Sequence, residues 1–179
     1  MKHSETHTRE IACTALMASA TAILAQIQIP IGPIPFNLAV FGAFLSGMLL
    51  PPLWAAASML VYMMLGAFGI PVFAGFKGGF AILFGKTGGY ILGYFALAAL
   101  TSFAVTYCRR RSFILFSMAC GLVICYTFGT IWFMLISGAD LLSALSWCVF
   151  PFILPDCAKA VGAFALGRAL QQRMISDIR

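Results

Sequence analysis

The sequence is poor in charged side chains. Its 179 residues include eleven Lys and Arg and five Asp and Glu, so that 9% of the chain is charged, whereas a typical soluble domain carries about 25%. So few charges cannot cover the surface of a soluble domain of this size, and 62% of the residues are hydrophobic. The composition argues against a soluble globule, a disordered chain and a nucleic-acid-binding protein, and it predicts a membrane protein.

Histidine is nearly absent too, since only His3 and His7 occur, both near the N-terminus. The six cysteines form no CxxC pair and have no Cys/His spacing of the kind that binds zinc. We therefore expect no metal site, no cofactor and no histidine-based catalysis. The cysteines are interpreted as small apolar packing residues.

Long runs without charge indicate how many helices cross the membrane. One span needs about 20 apolar residues, and Ile11–Phe76 contains no charged residue over 66 positions, so this run holds about three spans. Three further runs hold one span each: Thr87–Cys108, Ser112–Ala139 and Leu141–Gly167, the last carrying only Asp156 and Lys159. The sequence therefore predicts an all-α membrane protein with six transmembrane helices.

Proline and glycine mark the ends of these helices, because both residues interrupt helical hydrogen bonding or geometry. They divide residues 1–179, taken as a single membrane domain, into helices at about 11–29, 36–50, 53–70, 90–107, 113–136 and 147–170. A Gly-rich segment joins predicted helices 3 and 4, with a short helical turn expected at Phe80–Leu83.

The distribution of positive charge predicts the orientation. With six spans, both termini lie on one side, together with eight basic residues: Lys2, Arg9, Arg109, Arg110, Arg111, Arg168, Arg173 and Arg179. The other side holds Lys77 and Lys86. Because basic residues accumulate on the cytoplasmic side, we expect an N-in/C-in topology whose basic ends touch anionic lipid of the bilayer.

Two charged residues lie inside predicted helix 6. Asp156 and Lys159 are three residues apart, so they share one helix face and can neutralise each other. A charge inside a span costs at least about 2.5 kcal/mol on insertion scales. The pair is therefore either a packing ion pair or a polar ligand site in the outer half of the bundle, and spacing does not choose between them.

The Gly-rich segment Pro71–Gly89 is either a connecting turn or part of a ligand site. Irregular backbone near a membrane persists where protein buries it or water reaches it, and glycine lets the backbone approach a ligand closely. Phe73, Phe76 and Tyr90 can supply flat apolar walls. A phosphate loop does not fit, since position 80 is Phe where the GxxxxGK[ST] pattern needs Gly.

Three other sets of residues allow two interpretations each. Small residues at Ala15/Ser19 and Ala18/Ala22 let another helix approach closely, either inside the bundle or from a separate membrane subunit. Gln26, Gln28 and Asn37 either cap helix ends or contribute to a lid. Tyr126, in predicted helix 5, either packs in the bundle or reaches an internal pocket.

Five segments occur together in the order typical of one family. They are Ala15–Ala18 (ALMA), Gln28–Phe36 (QIPIGPIPF), Leu65–Gly75 (LGAFGIPVFAG), Thr87–Tyr90 (TGGY) and Pro155–Ala160 (PDCAKA). In these segments the chain resembles the BioY family, the biotin-specific S components of energy-coupling factor (ECF) transporters. The set reaches from helix 1 to helix 6 and is far more specific than any single segment.

The resemblance implies a high-affinity biotin site near the outer face, with no chemistry performed on biotin. Asp156 and Lys159 would belong to its polar part. The loops between helices 1 and 2 and between helices 3 and 4 would cover the ligand as lids, or as re-entrant segments. The further residues expected at the biotin site are Phe36, Asn37, Phe73, Gly75, Phe76, Lys86, Thr87, Gly88 and Tyr90.

The resemblance also implies partners in the cytoplasmic (inner) membrane of a prokaryote. A transmembrane T subunit would dock on Ala15, Ala18 and Ala22 of helix 1, and two ATPase subunits would supply energy while the S component topples. One departure is Lys86, where the family usually has Pro; Lys86 would help hold the biotin carboxylate. The alternatives are a solitary vitamin facilitator, a small intramembrane enzyme and a structural membrane partner.

Overall fold

A computed structural model describes residues 2–30, 33–108 and 110–176, with side chains from residue 7 to residue 173. Within these ranges the chain forms eight α-helices and two short strands. In chain order they are α1 (Lys2–Gln26), β1 (Gln28–Ile29), β2 (Phe36–Asn37), α2 (Ala39–Leu49), α3 (Pro52–Ala67), α4 (Phe80–Leu83), α5 (Gly88–Tyr107), α6 (Arg111–Ser137), α7 (Leu141–Cys148) and α8 (Phe150–Ser176). The mostly helical structure confirms the predicted all-α class.

Helix α5 lies at the centre of the bundle. It packs against α2, α3 and α6, while α2 also contacts α8, and α1 lies across α2 and α3. The α5–α6 contact is close because glycines stand where the helices meet. A Cβ atom on Gly93 would lie 3.0 Å from Cα of Cys125, and one on Gly121 would lie 3.2 Å from Cα of Leu97.

The outside of the bundle is apolar. Large hydrophobic side chains such as Leu135 and Leu154 are about four-fifths exposed, which water would disfavour and lipid would not. Among the described residues, three helices are long and apolar enough to cross a membrane: Gly88–Tyr107, Arg111–Ser137 and Phe150–Arg173. Helices α2 and α3 are apolar but shorter, with 11 and 16 residues.

The connection between α1 and α2 differs from the sequence-based bounds. Helix α1 ends at Gln26 rather than at about 29, and α2 begins at Ala39 rather than at about 36. The residues between them form an antiparallel pair of strands, in which Gln28 lies opposite Asn37 and Ile29 opposite Phe36. Prolines 30, 33 and 35 have no backbone N–H, so the chain satisfies its backbone groups across the loop instead of along a helix.

Helix α1 also begins earlier than expected, at Lys2 rather than at about residue 11. Charge marks where a helix leaves the hydrocarbon, but helical hydrogen bonds are local and continue through polar residues. The short helical turn expected in the Gly-rich segment coincides with α4.

A short helix, α7, precedes the last helix, and the pattern of apolar residues does not distinguish it from α8. Gly138, at φ 69°, ends α6, and the Asp140 carboxylate then accepts a hydrogen bond from the backbone N–H of Ser143 at 3.2 Å, which caps α7. Helix α8 begins at Phe150, so the expected helix at 147–170 is shifted. Asp is a favoured N-cap residue, and Asp140 follows Gly138 by two positions, but the apolar residues around it obscured this helix-start signal.

We predict that Gly93→Leu destabilises the bundle by about 1–3 kcal/mol through overpacking, seen as a lower thermal unfolding midpoint in detergent. Leu is a better helix former than Gly, so a loss would come from packing alone. The control is Ala119→Leu on the exposed face of α6, which we expect to leave the midpoint unchanged. Equal midpoints for both variants would contradict the close α5–α6 contact.

Candidate ligand-binding site

A cavity of about 150 Å³ lies inside the bundle. Residues from two loops line it; the first loop joins α1 to α2 and the second joins α3 to α4. It is bounded by α3, α5, α6 and α8, by one residue each from α2, α4 and α7, and by the segments that precede α2 and follow α3. The residues that line it are Pro33, Ile34, Pro35, Asn37, Val40, Tyr62, Phe73, Ala74, Lys77, Ile82, Thr87, Tyr90, Ile91, Tyr94, Leu122, Cys125, Tyr126, Cys148, Phe152, Asp156 and Lys159.

The buried end of the cavity holds an ion pair. Asp156 and Lys159 are 3% and 7% exposed, and Lys159 Nζ lies 2.6 Å from Asp156 Oδ1. The ammonium also donates to the backbone carbonyl of Asn37 at 2.6 Å and lies 3.8 Å from the centre of the Phe36 ring. The residues form the ion pair of the first sequence interpretation, and they also line the cavity, as the second would require.

Tyr126 completes this cluster. Its hydroxyl donates to Asp156 Oδ2 at 2.6 Å, so each carboxylate oxygen accepts one hydrogen bond. A carboxylate offers about four acceptor positions, so Asp156 retains capacity for a ligand. Tyr126 comes from α6 and Asp156 from α8, and only the packing of these two helices brings them together.

The strand pair β1–β2 connects the first loop to the buried ion pair. The side chain of Asn37 accepts a hydrogen bond from the backbone N–H of Ala39 at 2.9 Å, which starts α2 and fixes the Asn37 carbonyl toward Lys159. The neighbouring Phe36 ring stacks on Phe152 of α8, with ring centres 6.3 Å apart. The loop therefore covers α8 at the level of the charged residues.

The second loop folds back on itself. Phe73 and Lys77 exchange two backbone hydrogen bonds, at 2.9 and 3.2 Å, around a turn in which Gly75 and Phe76 have φ of 78° and 54°. Phe73 is buried edge-on against Tyr62, 5.5 Å between ring centres, in space that a Cβ on Gly66 would occupy. Phe73 and Lys77 thus line the cavity, whereas Phe76 is 73% exposed.

Gln26, the last residue of α1, holds the second loop in place. Its Nε2 donates to the carbonyls of Val72 and Phe73 at 3.1 and 3.2 Å, and its Oε1 accepts from the backbone N–H of Phe76 at 2.8 Å. One amide side chain therefore satisfies three backbone groups of a segment that has no regular structure. Of the two interpretations of Gln26, the contribution to a lid agrees with these contacts.

The start of α5 is fixed against α6. The hydroxyls of Tyr90 and Thr130 are 3.0 Å apart, and Trp132 Nε1 donates to the Gly85 carbonyl at 3.0 Å. The Tyr90 ring lies directly over Gly129. These contacts place Tyr90 in the cavity wall.

Comparison with known families shows to which family the chain belongs. The sequence profile described as the BioY family matches residues 1–176. This chain belongs to the BioY family.

Named relatives and a solved structure agree with that membership. The chain is 39% identical to "Probable biotin transporter BioY" of Pyrococcus horikoshii, over 91% of this chain and 96% of the relative. It is 33% identical to "Biotin transporter BioY" of Thermotoga maritima, over 92% and 96%. A crystal structure of "the S-component for biotin from an ECF-type ABC transporter" superposes with a TM-score of 0.86, at 29% identity over 94% of this chain and 93% of that one.

These relatives confirm three predictions. The chain is a member of the BioY family, it has the S-component fold, and it is a transport protein and not an enzyme. Its relatives come from prokaryotes, and its apolar helices suit several crossings, so it is a multi-pass prokaryotic membrane protein.

The structure brings together only part of the expected biotin site. Six of the expected residues line the cavity: Asn37, Phe73, Thr87, Tyr90, Asp156 and Lys159. Phe36 lies behind this lining, against Lys159 and Phe152. Gly75, Phe76, Lys86 and Gly88 do not line the cavity; Gly75 and Phe76 form the turn, and the Lys86 side chain is exposed.

Several lining residues did not stand out in the sequence, among them Tyr62, Lys77, Tyr94 and Phe152. Lys77 could have been found, since it is one of two cations beside the Gly-rich segment. Tyr62 and Tyr94 lie within apolar helices, where a tyrosine is as often a packing or interfacial residue, so nothing local marks them.

The small residues of α1 lie in different environments. Ala18 is completely buried and packs inside the bundle. Ala15 is exposed and Ala22 is partly buried. A docking surface on α1 would therefore centre on the exposed side that includes Ala15 and Ser19.

We predict that Gln26→Ala loosens the second loop. Losing even one of these three hydrogen bonds, at about 1 kcal/mol, should speed hydrogen exchange in a peptide covering residues 71–79 by about fivefold or more, measured by mass spectrometry in detergent. The control, Gln172→Ala, removes an exposed glutamine on α8 and should leave exchange in that peptide unchanged. Unchanged exchange in Gln26→Ala would show that other contacts hold the loop.

Proposed function

We propose that this chain binds biotin at the cavity and acts as the substrate-binding subunit of an ECF-type biotin uptake system. The observation that carries the proposal is the buried cluster of Tyr126, Asp156 and Lys159, which has hydrogen-bonding groups left over at the wall of a cavity. Membership of the BioY family and the names of the relatives support biotin as the ligand.

The free hydrogen-bonding groups match a cyclic urea. An ammonium has three N–H donors, and Lys159 uses two of them on Asp156 and on the Asn37 carbonyl; the third is left for the urea oxygen. Asp156 retains about two acceptor positions, and one of them can accept a urea N–H group. A ligand that lacks an N–H donor beside a carbonyl acceptor would leave buried groups unsatisfied, which is costly, so the cluster selects for a head group such as that of biotin.

The remaining wall suits the rest of biotin. Tyr62, Phe73, Tyr94, Leu122 and Phe152 present rings and alkyl groups to the cavity, and apolar walls with few polar groups are typical of small-molecule sites. The fused sulfur-containing ring and the aliphatic tail of biotin would lie against them. The buried Cys125 and Cys148 contribute small side chains to the same wall.

The membrane arrangement is part of the proposal. We place six helices, α1, α2, α3, α5, α6 and α8, across the cytoplasmic (inner) membrane, with both termini inside and the cavity in the outer half. The basic residues Arg110, Arg111, Arg168 and Arg173 would then face the cytoplasm, as the positive-inside rule favours. The two loops, one built on β1 and β2 and the other on residues 71–79, would cover biotin on the outer side.

Energy for uptake would come from partners. We propose a transmembrane T subunit that docks on the exposed side of α1, together with two ATPase subunits. Small residues such as Ala15 and Ser19 on that side are exposed and would let a partner helix approach closely. Toppling of this chain within the complex would bring the cavity to the cytoplasmic side.

We predict that Asp156→Asn weakens biotin binding about 10- to 100-fold, because a hydrogen bond to a charged group, at about 1.5–3 kcal/mol, is lost or inverted. Isothermal titration calorimetry of the purified protein measures this, with lipoate and thiamine as ligands expected not to bind. The matched control is Asp140→Asn, which makes the same change at an exposed helix cap and should bind biotin like the wild type.

Thermal unfolding without ligand separates lost binding from lost folding in Asp156→Asn. An unchanged biotin affinity in a folded Asp156→Asn protein would reject the assignment of the cluster. Binding of lipoate or thiamine as tight as that of biotin would reject biotin as the specific ligand.

For the partner subunits, we predict that Ala15→Leu disrupts co-purification with the T subunit and ATPases by severalfold, because a larger side chain separates close-packed helices. Ala119→Leu, on the exposed side of α6, is the control and should leave assembly intact. Intact assembly in Ala15→Leu would place the interface elsewhere, and biotin uptake by the wild type without any partner would indicate a solitary facilitator.

A further inference from the structure

The charges that line the cavity do not sum to zero. They are Lys77, Asp156 and Lys159, and the last two neutralise each other in the buried ion pair. No acidic side chain among the described residues forms an ion pair with Lys77. The lining therefore carries one uncompensated positive charge, which favours a ligand with one negative charge.

The two polar parts of the cavity lie at different depths. Asp156 and Lys159 are almost completely buried, whereas Lys77 is exposed to solvent while still lining the cavity. Because Lys77 is exposed, its ammonium group stays hydrated while the cavity is empty. The charges of the lining therefore suit a molecule with a neutral polar head at the buried end and an anionic group at the solvent-facing end.

The position of Lys77 is fixed by the fold of the second loop. Its backbone is paired with Phe73 through two hydrogen bonds, and the turn between them is held to α1 by the bond from the Phe76 N–H to Gln26. The flexible side chain therefore extends from a fixed point on the cavity wall. Lys86, the other cation of this region, is exposed but does not line the cavity.

We propose that Lys77 forms a carboxylate subsite that lets the protein distinguish a free acid from its neutral derivatives. This inference rests on the proposed function, with the urea ring of biotin at Asp156 and Lys159 and the carboxylate of its tail at Lys77. Because the ion pair is partly solvated, it contributes selectivity of about fivefold and depends on salt. Binding of the biotin carboxylate, which was expected of Lys86, is thereby assigned to Lys77.

The test compares biotin with biotinamide, which keeps the ring and tail but lacks the charge. Calorimetry at low ionic strength should show that the wild type prefers biotin by about fivefold. Lys77→Gln should lose this preference by weakening biotin alone, and Lys77→Arg should restore most of it. Lys86→Gln, the matched control, should keep the wild-type preference, and added salt should reduce biotin affinity in every protein except Lys77→Gln.

Three results would overturn the inference. Equal weakening of both ligands in Lys77→Gln would show a structural role, and an unchanged preference would show no role in carboxylate binding. A preference lost in Lys86→Gln but kept in Lys77→Gln would assign the subsite to Lys86. Failure of the wild type to bind either ligand would reject the proposed function itself, and the carboxylate subsite with it.

Discussion

The buried ion pair of Asp156 and Lys159 is the constraint on which the site depends. A single charge in the hydrocarbon region is unfavourable by at least about 2.5 kcal/mol, and even a pair needs further hydrogen bonds to offset desolvation. Two other elements supply them: the Tyr126 hydroxyl on α6 and the Asn37 carbonyl on β2. The Phe36 ring, also on β2, adds a cation–π contact with Lys159. The same requirement that stabilises the pair therefore determines where the first loop and α6 must lie.

A second constraint acts on the loops, whose backbone groups cannot remain unsatisfied at the edge of a membrane. The first loop meets it with the β1–β2 strand pair. The second meets it with the Phe73–Lys77 pair and with the side chain of Gln26. Since Gln26 belongs to α1 and the loop follows α3, the cover of the cavity is attached to the helix that would contact a partner subunit. Any displacement of α1 would therefore be transmitted through Gln26 to the loop that lines the cavity.

Several features of the site could be predicted from the sequence because they depend on local spacing. Two charges three residues apart must share a helix face, so the pairing of Asp156 with Lys159 follows without a structure. The glycine-rich, aromatic segment was compatible with a connecting turn or with part of a ligand site, and Phe73 and Tyr90 from it do line the cavity. Phe76 and Lys86 belong to the same segments but lie outside the lining. Phe76 stands in the turn with Gly75 and is 73% exposed, and the Lys86 side chain is exposed as well.

The sequence by itself determined the membrane class, the family and the charged pair, since composition, motif order and helical spacing are properties of the chain alone. Only the tertiary structure decided which residues surround that pair. In the sequence, nothing distinguishes Tyr126, Tyr62 and Tyr94 from other tyrosines in apolar helices. They line the cavity because α3, α5 and α6 pack with these faces inward. The distinction between Lys77 and Lys86 is likewise tertiary, because it depends on how one loop folds over the bundle.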